Sequence, residues 1–235
     1  MTDPVAAAVL PLGSTIADDA AAADGEPLNG RVYARLRAQL MSGVFEPGEV
    51  VSIRGLAERL GTSTMPVREA LHRLIADNAL EARANRTIAV PVITRASYRQ
   101  VYEVRMALEG LAAENAAGRL DAAQLRRLDE LTRGMTEAVA EDDPQTYLAL
   151  NKEFHLTIYQ AAGNPLLLDL IEKLWVRAGP VMNYLFRNSS VAMQAVEPHE
   201  AIAAALHKAD GMAARAAVQR DIREAAPALV NALPE

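Results

Sequence analysis

Cysteine is absent from the 235 residues. That excludes a disulfide framework, a thiol nucleophile and a Cys-ligated zinc, and leaves His, carboxylate and amide groups as the available metal ligands. Histidine is scarce too, with four residues competing for that role. Long apolar runs are missing: the longest, such as Val5–Leu10, fall far short of the roughly 20 residues a membrane helix needs. The N-terminus has no basic segment leading into an apolar one, so the expectation is a cytoplasmic protein with no membrane partner. What is present is ordinary for a folded protein. Hydrophobic residues make up 51% and charged residues 23%, and the mean hydropathy is +0.01, which excludes wholesale disorder. At roughly 100–200 residues per domain, the length predicts one large or two ordinary domains, with two the better fit.

The net charge of -6 hides an uneven distribution. Residues 1–29 carry five acids and no Lys or Arg, whereas residues 30–95 hold 10 Arg against 6 acids. The remainder is acidic again, with 14 basic and 19 acidic residues. A locally positive module can engage an anionic polymer although the whole chain is acidic, because phosphate attraction is local and screened within a Debye length. A solvated Arg-rich surface would produce the same charge pattern, so motifs must decide.

Residues 1–29 are rich in Ala and Asp, without aromatic residues or a sustained amphipathic period, and predict a disordered leader. From Val32 the pattern changes. Val32, Leu36 and Leu40 recur at helical spacing and end at Ser42-Gly43 and the turn Glu46-Pro47-Gly48. Leu56, Ala57 and Leu60 predict a short second helix stopped by Gly61, and Val67, Ala70, Leu71 and Leu74 a third. Pro66 is tolerated only in a first turn, which puts the start of the third helix within a residue or two of Thr64, with the hydroxyls of Thr62-Ser63-Thr64 available as caps. The runs 79–83 and 87–93 flank Ala84-Asn85-Arg86 and predict a hairpin. Three helices and a hairpin make a winged helix-turn-helix over residues 30–95. Beyond Thr94 the spans 96–118, 121–141, 144–162, 164–188, 191–208 and 210–231 all predict helix, with short connections. The fold class is therefore mainly α: an N-terminal winged helix-turn-helix, then an all-α antiparallel bundle of about six helices over residues 96–235.

In a helix-turn-helix the second helix sets its first turn on base edges, and nearby arginines hold the phosphates. The candidates for DNA contact are Ser63, Thr64 and Met65 at the start of the third helix and Arg68 one turn inside. Arg54, ahead of the second helix, can clamp a phosphate or reach a guanine, and Asn85 and Arg86 mark the wing tip. An exposed or intradomain ion pair is the competing role for each arginine.

The segments Phe45-Glu46-Pro47-Gly48-Glu49, Leu56-Ala57-Glu58-Arg59-Leu60-Gly61 and Pro66-Val67-Arg68-Glu69-Ala70-Leu71 resemble the DNA-binding domain of the GntR family of bacterial transcription regulators. Val104–Glu109, Asn151-Lys152-Glu153-Phe154-His155, Ala162–Leu166 and His199-Glu200-Ala201-Ile202 resemble the all-helical FCD effector domain of its FadR-type branch. The resemblance implies a homodimer that binds palindromic double-stranded operator DNA, usually as a repressor, and changes its grip when a small organic acid occupies the helical domain. It places Arg54 and Arg68 on DNA-contacting positions. Two departures stand out: Thr64 where many relatives have Arg, and Thr87 where the wing usually has Gly.

Asn151 and His155 lie at i, i+4, so their side chains share a helix face; His199 and Asp221 fall on later helices. Bundle cores build metal sites by converging such groups. By resemblance, relatives with a metal present Asp or Asn followed by three His, and these positions map onto Asn151, His155, His199 and Asp221, with Asp221 in place of the last His. Exchanging nitrogen for oxygen shifts preference toward harder ions and leaves zinc, manganese and nickel open. The alternative is a polar cavity in which the two imidazoles only hydrogen-bond. Arg105 suits a bidentate pair with an effector carboxylate, or equally a salt bridge to Glu109 at i, i+4. A metal-dependent hydrolase using His155 and His199 is the competing function. Against it, no general base is evident beyond the proposed ligands and no G-x-S-x-G motif occurs, so the chain reads as a regulator and not an enzyme.

Overall fold

The computed structural model describes residues 27–84, 87–187 and 196–235. The wing-tip candidates Asn85 and Arg86, and residues 1–26 of the expected leader, lie outside the described residues. The described residues open with helix α1, Leu28–Met41, which takes in the last two residues of the leader expected over 1–29 and whose stripe Val32, Leu36 and Leu40 is fully buried. Gly43, at φ +65, turns the chain away; that left-handed conformation suits glycine because it has no Cβ. Helix α2, Ile53–Arg59, is capped by Ser52, whose Oγ accepts the Gly55 N–H at 3.2 Å. Helix α3, Thr64–Ala76, starts where Pro66 requires and buries Val67, Ala70, Leu71 and Leu74. Ser63 is its N-cap residue but makes no side-chain cap bond. The expected hydroxyl cap is thus not formed at this position.

The expected hairpin is strand β2, Glu81–Ala82, antiparallel to strand β3, Ile88–Ala89. A further strand, β1, Val50–Val51, pairs with β3 on its other edge in the register Val50↔Ala89, so the sheet order is β1-β3-β2. Two residues are too few for a period-2 pattern to reveal a strand, and β1 exists because β3 offers it a free edge.

Among the described residues six α-helices follow: α4 Arg95–Ala116, α5 Ala122–Ala140, α6 Pro144–Ala161, α7 Pro165–Met182, α8 Glu197–His207 and α9 Gly211–Ala232. Most begin on a cap that the sequence signals. Asp121 and Gln124 form a capping box on α5, Asp143 and Asn164 cap α6 and α7 with Pro at the next position, and Asp210 caps α9. The span expected as one helix over 164–188 changes character at Met182, and Asn183–Arg187 form a 3-10 helix. Of the span expected as helix over 191–208, residues 191–195 lie outside the described residues, and Glu197–His207 are helical. Helix α4 packs along α9, α5 along α6, and α8 against α9. Helix α1 packs on both α3 and α7, so the apolar core runs continuously from Val32 and Leu71 into Trp175 and Phe154. A smaller cluster around Tyr98, Val181 and Leu229 closes one end. Among the described residues, no helix is long and apolar enough to cross a membrane.

Candidate functional site

The first turn of α3 is presented to solvent while its opposite face is locked into the core. Ser63, Thr64 and Arg68 are exposed, and Met65 keeps 59% of its surface. Arg54 is also exposed, within the first turn of α2 and not ahead of it as the sequence suggested. Neither Arg54 nor Arg68 has an ion-pair partner among the described residues, although the helix-turn-helix has carboxylates nearby. Glu69, beside Arg68, instead takes the Asn29 amide at 2.6 Å. Two uncommitted guanidinium groups and a helix N-terminus with free backbone N–H groups form a surface matched to phosphate and base edges.

The second constellation lies inside the helical bundle, around a cavity of about 230 Å³ lined by Arg105, Asn151, His155, Trp175, His199 and Asp221, with Met182, Leu185, Ile222 and Leu229 forming an apolar side. Asn151 and His155 come from α6, His199 from α8 and Asp221 from α9. Their donor atoms converge. His155 Nε2 is 3.2 Å from His199 Nε2 and 3.4 Å from Asp221 Oδ2, and His199 Nε2 is 2.8 Å from Asn151 Oδ1. Ligands bound about 2.0–2.2 Å from one divalent ion, at tetrahedral or octahedral angles, stand roughly 2.8–3.6 Å apart. The observed separations fall in that range, and His155, His199 and Asp221 group within 4.8 Å. The four side chains therefore fit a small divalent cation, which would supply positive charge and open positions for an oxygen ligand.

Electrostatics favour the ligand forms of these groups in part. Burial, then His199 and Arg105, hold the His155 pKa well below the ordinary histidine range, so its imidazole is neutral at pH 7. Asp221 is pushed the other way, chiefly by burial, and a neighbouring cation would offset that cost.

Arg105 lines the cavity, but its guanidinium is already engaged: Nε and Nη2 donate to the two Glu109 oxygens at 2.6 and 3.3 Å. The structure thus forms the Glu109 pair that competed with an effector contact in the sequence. Burial opposes the Arg105 charge, yet the buried Glu109 carboxylate raises its pKa further. The Arg105 guanidinium also stands 4.9 Å from the Trp175 ring centre. Tyr98, Tyr147, Tyr159 and Trp175 surround this centre and were not singled out from sequence. Tyr159 had a usable signal, lying at i+4 from His155, whereas Trp175 reaches the cavity only through the packing of α7. The Trp175 indole N–H is buried without an acceptor among the described residues.

Residues 28–90 match the family described as bacterial regulatory proteins, gntR family, and residues 100–224 match the FCD domain. The chain belongs to the gntR family. It is a DNA-binding transcription regulator whose α3 surface lies in the gntR segment and whose cavity lies in the FCD segment. Among gntR regulators it is 34% identical over 177 residues to the HTH-type transcriptional regulator McbR of Escherichia coli K12, covering 74% of this chain and 80% of McbR. It is 27% identical over 199 residues to the transcriptional repressor RspR of the same organism, covering 85% and 87% of the two chains. The solved structure of E. coli McbR/YncC superposes with a TM-score of 0.82 at 31% identity, over 88% of this chain and 98% of that one.

Proposed function

We propose that this gntR-family regulator is a cytoplasmic repressor that binds palindromic operator DNA as a homodimer and releases it when a small organic acid enters the FCD cavity. In this reading residues 30–95 are the DNA-binding unit and residues 96–235 the effector-binding and dimerisation unit. Arg54, Ser63, Thr64, Met65 and Arg68 contact DNA, joined by Asn85 and Arg86 at the wing. Asn151, His155, His199 and Asp221 hold a divalent metal whose open positions receive the acid. Arg105, held by Glu109, turns its guanidinium edge to the cavity as a further donor for the acid, and the Trp175 N–H is a donor without an acceptor among the described residues. The name of RspR as a repressor supports the sign of regulation.

The observation that carries the proposal is the pair of exposed arginines, Arg54 and Arg68, on consecutive helices of a helix-turn-helix, neither with an ion-pair partner among the described residues. Gel-shift at fixed salt on DNA from upstream of the chain's own gene, with random competitor, tests it. Specific retention is expected for the protein and not for Arg68→Ala. Equal affinity for every duplex, or an unchanged Arg68→Ala, overturns the assignment of α3. Metal analysis of protein purified without chelator tests the ligand set, and a small acid that frees the DNA only from metal-loaded protein identifies the effector.

A further inference from the structure

Two i, i+4 pairs face each other across the bundle behind the candidate metal centre: Arg105 and Glu109 on α4, His155 and Tyr159 on α6. Glu109 is fully buried and ion-paired with Arg105. As a carboxylate it can only accept hydrogen bonds, so the Tyr159 hydroxyl, 2.6 Å from Glu109 Oε2, must donate to it. That commits the single phenolic hydrogen and leaves the Tyr159 oxygen with lone pairs alone. His155 Nδ1 lies 2.9 Å from the same oxygen. The hydrogen in that contact therefore comes from the imidazole. A neutral imidazole with its hydrogen on Nδ1 has a lone pair on Nε2, and Nε2 is the atom that faces His199 and Asp221.

We infer that Glu109 and Tyr159 are positioning residues that act through hydrogen-bond direction to fix the tautomer of His155, so that its Nε2 lone pair is presented to the cation. The inference rests on the metal reading above, and it assigns a role to two buried residues that touch neither the cation nor the cavity's open side. The relay has a direction set by its far end. Arg105 makes Glu109 a pure acceptor, Glu109 orients the Tyr159 hydroxyl, and Tyr159 in turn accepts from His155. Such outer partners typically change metal affinity about 10- to 100-fold when removed.

The chain has four histidines, so side-chain ¹⁵N NMR of metal-free protein at neutral pH can read the tautomer directly, with His155→Gln identifying the resonance. In the unmodified protein His155 is expected to carry hydrogen on Nδ1. Tyr159→Phe removes the acceptor and should move the hydrogen to Nε2. Glu109→Gln should reverse the relay, because the introduced amide N–H donates to Tyr159, which then donates to Nδ1. Zn²⁺ and Mn²⁺ affinities, measured by competition with a chromophoric chelator on variants of unchanged helicity, should fall about 10- to 100-fold for both substitutions. A His155 already protonated on Nε2, or unchanged tautomer and affinity in Tyr159→Phe, overturns the relay. If the unmodified protein binds neither ion, the metal reading fails on its own, and the NMR result still judges the hydrogen-bond direction.

Discussion

Gly179 on α7 lies against the Leu40 carbonyl on α1 so closely that a Cβ at Gly179 would overlap that oxygen and come within 2.8 Å of Met41 Cα. The contact is reinforced on both sides. Gly43 just past α1 faces the Gly179 carbonyl, with a Cβ there reaching 3.0 Å, and the Asn183 amide donates to the Gly43 carbonyl. Near the other end of the contact, Arg37 pairs with Glu172 at 2.8 Å. Helix α1 also packs on α3, and α7 carries Trp175, one turn before Gly179, into the cavity. A continuous packed path thus joins the candidate effector cavity to α3.

Gly179→Ala should force α1 and α7 apart. Overpacking of this kind costs about 1–3 kcal/mol, and in a chain of this size each kcal/mol lowers Tm by roughly 2–4 °C. Urea and thermal unfolding measure the loss, and an unchanged Tm would show that the helices can separate freely. A fall in operator affinity at temperatures where the variant is fully folded would add that the α1–α7 contact sets the position of α3.

The two exposed arginines should fail in different ways. If Arg54 holds a phosphate, Arg54→Ala weakens binding to all duplexes alike and lowers the slope of log affinity against log salt by about 1. If Arg68 reads a base edge, Arg68→Ala costs about 1–3 kcal/mol on the operator and little on random DNA. Titrations of operator and scrambled duplex at several salt concentrations separate the two, and identical behaviour of the variants would contradict this division of roles.

Local signals made the framework legible. Pro66 anticipates the start of α3, and the Asp-Pro and Asn-Pro pairs at 143–144 and 164–165 mark the starts of α6 and α7 because the side chain caps and the proline needs no N–H there. Strand β1 and the 3-10 segment after Met182 were not legible, since each depends on a partner remote in sequence. The convergence of Asn151, His155, His199 and Asp221 followed from family resemblance together with the i, i+4 spacing of the first two. Helical period alone could not have brought α8 and α9 to the same point. The fate of Arg105 was open for the same reason: spacing allows the Glu109 pair, and only burial of Glu109 at the bundle's centre commits the guanidinium to it.

Trp175 is the sole tryptophan of the chain, and its ring centre lies 5.4 Å from that of His155. Its emission should therefore report occupancy of the metal centre. Zn²⁺ or Ni²⁺ added to chelator-treated protein should change the fluorescence until about one ion per chain is bound, and excess EDTA should reverse it. Saturation at 100 times Kd stabilises a folded protein by about 2.7 kcal/mol, so chelation should lower Tm by roughly 5–10 °C. His199→Ala should remove both effects, and a fluorescence response that survives in that variant would place the ion elsewhere.

Acid should weaken the metal-free protein through His155. Burial is the main reason its pKa stands well below the ordinary value, with His199 and Arg105 adding to the effect. In the unfolded chain the same imidazole takes up a proton near pH 6.5, about the model-peptide value. Above that pH both states are neutral and His155 contributes no pH dependence. Between about pH 6.5 and the depressed native pKa, the unfolded state holds one more proton, so stability falls with pH by up to about 1.4 kcal/mol per unit. Asp221 acts with the opposite sign. Its carboxyl is raised, chiefly by burial, so the native state is protonated first, and stability is regained as pH falls from the raised value toward about 3.9. Urea midpoints at pH 7.5 and 5.5 in EDTA should therefore drop more for the unmodified protein than for His155→Gln, and Asp221→Asn should lose the regain of stability at the acid end of the profile. Parallel acid profiles for the unmodified protein and His155→Gln would mean that the native state accepts a proton at this imidazole as readily as the unfolded chain does.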